Sequence, residues 1–332
     1  MKKRVLLTGA FGNIGSFVIR ELLAQHYDVV AFDKETPITK GNAKKFSSAG
    51  LQICWGDITH PQDIERALKD VDAVIHLVGI FPPASEANKS LAKAINVDGT
   101  RNVVEAMEAS LTAKRLVFAS SIAVYGKHQG RIKPPLNASH PLSPDDYYGE
   151  TKAEGETLIK KSALAWSILR ISACPPVNIK NMASFKGAPF LELHPDSRLE
   201  IVHPADSALA FVNALGNDEA KGKILLLGGG KHNQITSHQL FSIMFASLGL
   251  QPLPREAFKI TEEVDFHGDW LDTEESQRLL KFQRYDAATH FNDFRESLGL
   301  ARYGLVLLKP LAPLIRWFIL LTSPYYKTQK RK

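Results

Sequence analysis

Tyr148 and Lys152 lie four residues apart in the run Asp145-Asp146-Tyr147-Tyr148-Gly149-Glu150-Thr151-Lys152, which leads into a helical pattern. Residues at that spacing share one face of a helix. A phenol with its ordinary pKa of about 10 is a poor base at neutral pH. An ammonium beside it stabilises the phenolate, and such a pair suits proton exchange. On a wet helix face the same pair would do nothing, so it gains meaning only from its surroundings.

A glycine-rich turn is the second chemical feature. Thr8-Gly9-Ala10-Phe11-Gly12-Asn13-Ile14-Gly15 follows the apolar run Val5 to Leu7 and opens another helical pattern. Glycines let a backbone turn tightly and approach a pyrophosphate, and the helix N-terminus then offers N–H donors and positive dipole. The next apolar run ends in Asp33, whose carboxylate can accept hydrogen bonds from adenosine ribose hydroxyls. It would repel a 2′-phosphate, so NAD is favoured over NADP, although the adjacent Lys34 works the other way. No Cys/His cluster has zinc spacing, and no metal is expected.

These residues need a scaffold. Apolar runs at Val5–Leu7, Val29–Phe32, Leu51–Trp55, Ala73–Leu77, Leu116–Ala119 and Ser167–Leu169 alternate with helical patterns such as Ile14–Ala24 and Gln62–Leu68. Strand and helix in alternation imply a parallel sheet covered on both faces, and right-handed crossovers make it a doubly wound, Rossmann-type α/β fold. Regularity weakens after Ile171, where Cys174-Pro175-Pro176 breaks the chain. A strand at Leu199–Val202, a helix at Ala205–Leu215 and a strand at Lys223–Leu227 are expected to return to the sheet. The organisation expected is a dinucleotide-binding domain over 1–172 with returning segments at about 199–227. A smaller, interleaved α/β substrate lobe over 173–198 and 228–300 follows, then an apolar and basic segment over 301–332.

At this point the chain resembles the extended branch of the short-chain dehydrogenase/reductase superfamily, the NAD-dependent epimerase/dehydratase group. Thr8 to Gly15 matches T-G-x-x-G-x-x-G, and Tyr148 to Lys152 matches Y-x-x-x-K. Gly56-Asp57-Ile58, His76-Leu77-Val78-Gly79, Asn96-Val97-Asp98-Gly99-Thr100 and Ser120-Ser121-Ile122-Ala123-Val124-Tyr125-Gly126 match further blocks. Leu169-Arg170-Ile171 and Ile201-Val202-His203-Pro204-Ala205-Asp206 resemble later ones. The likeness is dense from about Lys3 to Asp206 and thin beyond. It implies that Ser121 holds the substrate oxygen, Tyr148 exchanges the proton, and Lys152 binds the nicotinamide ribose and biases Tyr148. It also implies cofactor contacts at Gly9, Phe11, Gly12, Asn13, Ile14, Gly15, Asp33, Asp57, Ile58, Leu77, Val78, Gly79, Asn96, Ala119 and Ala173. Hydride then passes between nicotinamide and substrate carbon. A homodimer through the helices near Thr100–Ala109 and Tyr148–Ser162 is a further implication.

Within this group the motif departures separate the chemistries. Ile122-Ala123 follows Ser121 where the group's dehydratases carry an acidic pair. Epimerases carry an Asn soon after the Arg of the L-R-x block, but here Asn178 comes late, behind the prolines. A carbonyl reductase or alcohol dehydrogenase is therefore preferred over a sugar-nucleotide 4-epimerase. A binding-only dinucleotide sensor is a third reading, opposed by the presence of both Tyr148 and Lys152. Arg198, Arg255, Arg278 and Arg284 are candidates to meet a substrate phosphate. His194, His203, His267 and the segment Asp265 to Trp270 are candidates for the pocket rim. His76 reads as a partly buried histidine tied to backbone, and Glu150 as an exposed first-turn acid favouring the helix N-terminus.

Bulk properties limit the partners. The 332 residues carry a net charge of +6, much of it terminal, in Lys2, Lys3, Arg4, Lys327, Lys330, Arg331 and Lys332, which does not make a nucleic-acid groove. Two cysteines, Cys54 and Cys174, are too few for a disulfide framework and suit a reducing cytosol. Leu305 to Leu321 is apolar but interrupted by Lys309, Pro310, Pro313 and Arg316. That is too short and broken to span a bilayer. It suits either a helix docked on the core or a segment lying on a membrane surface, with Arg302, Lys309 and Arg316 on one helical face. In the second case a hydrophobic substrate is favoured.

Overall fold

A computed structural model describes residues 2–178, 190–262, 264 and 266–329. Asp265, Lys330, Arg331, Lys332 and most of the aperiodic stretch between Asn178 and Arg198 lie outside the described residues. Seven strands form a fully parallel sheet in the order β3-β2-β1-β4-β5-β6-β8. They are β1 (Arg4–Thr8), β2 (Asp28–Asp33), β3 (Gln52–Trp55), β4 (Ala73–His76), β5 (Arg115–Ser121), β6 (Ala165–Ile171) and β8 (Lys223–Leu227). Successive strand residues face opposite sides, and here both sides are covered. Leu6, Val30, Val74, Leu116, Phe118 and Ile168 pack under the helices Pro61–Ala67, Gly99–Ala109 and Tyr147–Lys161. Val5, Leu7, Val29, Ile75, Val117 and Leu225 join a second core with the helices Gly15–Ala24 and Pro204–Gly216. Burial on both faces is why the strands read as unbroken apolar runs. The doubly wound fold stands as expected.

One element differs from expectation. The run at Leu199–Val202 does not rejoin the main sheet. Its strand β7 (Arg198–Glu200) pairs antiparallel with β9 (Gln234–Thr236) in a separate two-stranded ribbon. The outer side of β6 is filled by β8, and Ile201 reaches the sheet region only through an isolated bridge to Ala173. The C-terminal segment also breaks: Pro310 lies in a short turn, Lys309–Leu311, between the helices Ala301–Leu308 and Ala312–Thr322. Arg302, Lys309 and Arg316 therefore do not share one continuous helical face. Among the described residues no helix is long and apolar enough to cross a membrane.

From β1 the chain runs to β2 and β3 on one side, then crosses back to β4, β5, β6 and β8 on the other. That reversal opens a crevice at the C-terminal ends of β1 and β4, the usual ligand position in such sheets.

Candidate functional site

The glycine turn leaves β1 at the reversal. Gly9 has φ +69°, a conformation only glycine adopts freely. A Cβ on Gly15 would lie 2.1 Å from the Gly9 carbonyl oxygen and 2.7 Å from that of Ala10. The turn can therefore close against the helix Gly15–Ala24 only because Gly15 has no side chain. No side chain caps that helix and its first turn carries no acid, so its N-terminus is free to serve an external anion. Asn13 donates to the carbonyl of Cys174 at 3.1 Å, tying the turn to the segment after β6.

Asp33, at the end of β2, accepts from the backbone N–H groups of Phe11 and Lys34, both at 2.8 Å. Burial pushes its pKa up while those bonds pull it down. The ammonium of Lys34 turns away to Asp57, 2.7 Å distant. Burial of Asp57 opposes ionisation, but Lys34 and two bonds from Thr59 outweigh it and hold its pKa at about 2. The side chains of Phe11 and Ile58 are core residues, buried among other apolar groups. Only their backbones are available to a ligand. Ala173 is exposed, and its carbonyl accepts from Val202 N–H at 2.9 Å.

Under the crevice, Leu77, Val78 and Gly79 are half-buried after β4. His76 is wholly buried: its Nδ1 lies 2.7 Å from Thr8 Oγ1 and its Nε2 3.0 Å from Thr100 Oγ1. Thr100 donates its hydroxyl proton to the Asn96 carbonyl, so it must accept from Nε2–H, and Thr8 then donates to Nδ1. Burial and the charge of Lys152 push His76 down to about 3, so it is a neutral spacer, fully buried and held by two threonine hydroxyls where a partly buried histidine tied to backbone was expected. Asn96 sits in a π-helical turn, Ala94–Asp98. It clamps Ile80 by accepting from its N–H at 2.8 Å and donating to its carbonyl at 2.9 Å, and it also donates to Thr151.

The helix Tyr147–Lys161 brings the titratable pair over this floor. Asp146 caps it by accepting from Gly149 N–H at 2.6 Å. Glu86 accepts from the N–H groups of Tyr147 and Tyr148 as well, a cap that sequence reading missed. Ser121, at the end of β5, hydrogen-bonds the Tyr148 phenol. Burial pushes that phenol up to about 12; the Ser121 bond draws it down and the charge of Asp146 raises it. Lys152 is buried, donates to the Ala119 carbonyl at 2.9 Å, and lies 5.9 Å from the Tyr148 ring centroid and 5.0 Å from that of Phe118. Burial pushes it down to about 8, against the pull of Glu156. Ser121, Tyr148 and Lys152 thus converge, with Gly79 and Asn96 beside the ammonium: a Cβ on Gly79 would lie 3.1 Å from Lys152 Nζ.

Glu156, one turn below Lys152, was also missed. Arg170 grips it through two bonds of 2.8 and 2.7 Å, Ser120 donates to it at 2.7 Å, and Arg170 also reaches Tyr125. The Tyr148, Lys152, Glu156 spacing was the available signal, because all three repeat at four residues on one face.

Each of the four arginines considered for a substrate phosphate has a carboxylate partner: Arg198 with Asp269, Arg255 with Asp196, Arg278 with Glu219, and Arg284 with Asp206. His203 caps the helix Pro204–Gly216 and stacks on Tyr285 at 4.3 Å. His194 stabilises a local turn through Asp196 N–H. His267 alone of these histidines reaches toward the pair, with Nε2 2.9 Å from Asp145 in the run preceding Tyr148. Exposed Glu150 lies in the first turn of the Tyr147–Lys161 helix, as expected. Among the described residues no His, Cys, Asp and Glu cluster is arranged to hold a metal.

Comparison with known proteins gives a consistent picture. The model of the NAD dependent epimerase/dehydratase family matches residues 5–228. The chain is 30% identical over 161 residues to D-erythronate dehydrogenase of Cupriavidus necator, a match covering 47% of this chain and 49% of that protein. It is 32% identical over 192 residues to UDP-glucose 4-epimerase 4 of Oryza sativa, covering 53% and 50%. The chain thus spans about half the length of these curated relatives. The crystal structure of UDP-glucuronic acid 4-epimerase from Bacillus cereus, in complex with UDP-glucuronic acid and NAD, superposes with a TM-score of 0.73 at 21% identity. That match covers 89% of this chain and 98% of the other, and at such identity it shows a shared fold.

Proposed function

The chain belongs to the NAD dependent epimerase/dehydratase family, and we propose that it is an NAD-dependent oxidoreductase that reduces a carbonyl, or oxidises the matching alcohol, at Ser121, Tyr148 and Lys152. The observation carrying this reading is the meeting of a serine hydroxyl, a phenol pushed up to about 12 and a buried ammonium above one crevice. The residues fit a dinucleotide. The side-chain-free turn at Gly9, Gly12 and Gly15 would hold the pyrophosphate, with Asn13 and Ile14 at the helix start. Asp33 would accept from the adenosine ribose, and Asp57 would lie toward the adenine. Leu77, Val78, Gly79, Asn96, Ala119 and Ala173 would line the path to Lys152. Asp33 already has an acceptor role, and Lys34 is engaged by Asp57, which supports NAD over NADP. When bound, the nicotinamide supplies the hydride.

In the reducing direction Tyr148 is protonated at neutral pH, so its Oη–H is ready to be given to the carbonyl oxygen as that oxygen gains negative charge. Ser121 Oγ–H holds the same oxygen in line. Lys152, fixed by Ala119, steadies the phenolate left behind and takes the nicotinamide ribose hydroxyls. Oxidation runs through the same groups in reverse. The segments 173–198 and 228–300 would supply the substrate lobe, and a dimer through the helices Gly99–Ala109 and Tyr147–Lys161 belongs to the same proposal.

A 4-epimerase is the second reading, favoured by the Oryza sativa relative. Carboxylate partners on Arg198, Arg255, Arg278 and Arg284 weigh against a nucleotide diphosphate on those four side chains. Tyr148→Phe is expected to abolish turnover on a carbonyl panel while NAD binding, read by dinucleotide fluorescence, persists. Full activity of that variant refutes the assignment, and tight UDP-sugar binding with interconversion of the sugar moves it to epimerisation.

A further inference from the structure

We propose that the outer face of the helix Ala312–Thr322 docks on an anionic membrane surface. A helix packed on a protein core normally turns a polar face to water. This one does not. Its inner face is seated: Ala312 and Leu320 are buried, and Leu320 and Ile319 pack with Phe245, Leu253 and Phe258. Ser323, at its end, is buried and donates to the Ala257 carbonyl at 2.7 Å. Arg316 donates to the Pro252 carbonyl at 3.0 Å. The opposite face repeats at three and four residues as Leu314, Trp317, Phe318 and Leu321, each between 41% and 63% exposed, with Leu311 continuing the stripe. Isolated exposed apolar side chains are ordinary, but a contiguous stripe of leucine, tryptophan and phenylalanine marks a contact surface.

Charge selects the occupant. Residues 301–332 contain seven lysines and arginines of the chain's 41 and none of its 35 acids. The final 32 residues therefore carry +7, and the preceding 300 carry −1. An apolar stripe within a segment whose charged side chains are all positive fits the interface of an anionic bilayer, where aromatic and leucine side chains enter the headgroup boundary and cations meet lipid phosphate. A second copy would bring the same excess of positive charge against itself. The segment is anchored to the body through Leu320 and Ser323, so docking would hold the whole molecule at the surface. This inference does not depend on the catalytic reading.

The test uses the full chain and phosphatidylcholine vesicles with or without phosphatidylserine. Wild type is expected to co-sediment with the anionic vesicles, less so at high salt, and brominated lipid is expected to quench Trp317. Leu314→Ser/Trp317→Ser/Phe318→Ser changes exposed positions only and is expected to fold, to keep turnover in vesicle-free buffer, and to lose about tenfold or more in vesicle binding. Equal sedimentation of the two proteins, or wild type left in the supernatant, overturns the proposal. A wild-type dimer that the triple variant breaks without any vesicle binding also overturns it and gives the face to a second copy. Loss of carbonyl turnover in Tyr148→Phe leaves these outcomes unchanged, so the two proposals fail separately.

Discussion

Lys152→Met should make the protein less active and, relative to wild type, change how stability depends on pH. Burial moves the lysine from its ordinary 10.5 down to about 8. Each unit is worth about 1.4 kcal/mol, so keeping the ammonium charged in the fold costs roughly 3 kcal/mol at neutral pH. Below about 8 both folded and unfolded chains hold the proton, and stability has no slope from this group. Between about 8 and 10.5 only the unfolded chain holds it, so stability rises with pH. Above 10.5 neither does, and the cost has gone. Methionine fills similar volume without charge but leaves the Ala119 carbonyl without the Lys152 bond, a loss of about 1–3 kcal/mol that does not vary with pH. Urea unfolding of both proteins, from about pH 7 to about pH 10, isolates the lysine because distant titrations cancel in the difference. Wild type should gain on the variant by about 2–3 kcal/mol across that range. A constant difference, or one that moves the other way, refutes the claim that a destabilising buried cation sits beside Tyr148. Retained turnover in Lys152→Met would refute its proposed role.

Gly15→Ala places a methyl 2.1 Å from the Gly9 carbonyl oxygen. It should cost at least about 1–3 kcal/mol of stability in thermal unfolding and remove NAD binding by calorimetry. Asp33→Ser removes the acceptor for Phe11 and Lys34 N–H. NAD affinity should fall by about tenfold or more, with the NADP to NAD affinity ratio rising; an unchanged ratio would remove Asp33 from cofactor selection. Glu156→Gln leaves Arg170 buried with its charge uncompensated and should cost about 3–5 kcal/mol in urea unfolding.

What could be read in advance was the chemistry written into the backbone. The glycine turn, the parallel strands and the Tyr148–Lys152 spacing are local patterns, and a parallel strand buried on both faces leaves an unbroken apolar run whatever its partners. Pairing is not local. Leu199–Val202 has the composition of a sheet strand, but whether it lies beside β6 or beside β9 depends on β8 having taken the place next to β6. The arginines show the same limit. Sequence offers Arg198, Arg255, Arg278 and Arg284 as free cations, and only the fold sets Asp269, Asp196, Glu219 and Asp206 against them. The direction of the Tyr148 shift is the most instructive case. Charge adjacency alone argues that Lys152 lowers the phenol, yet the dominant influence is burial, which raises it to about 12. The same burial lowers Lys152 to about 8. Desolvation favours the uncharged form of both groups, so it moves the phenol up, away from neutral pH, and the ammonium down, toward it, leaving a protonated phenol beside a cation that is easily discharged. At neutral pH the phenol therefore carries its proton, the state that the proposed carbonyl reduction needs at its start, while the same burial makes it a weaker acid than a free phenol, so a developing negative charge on the substrate oxygen would have to draw the proton across.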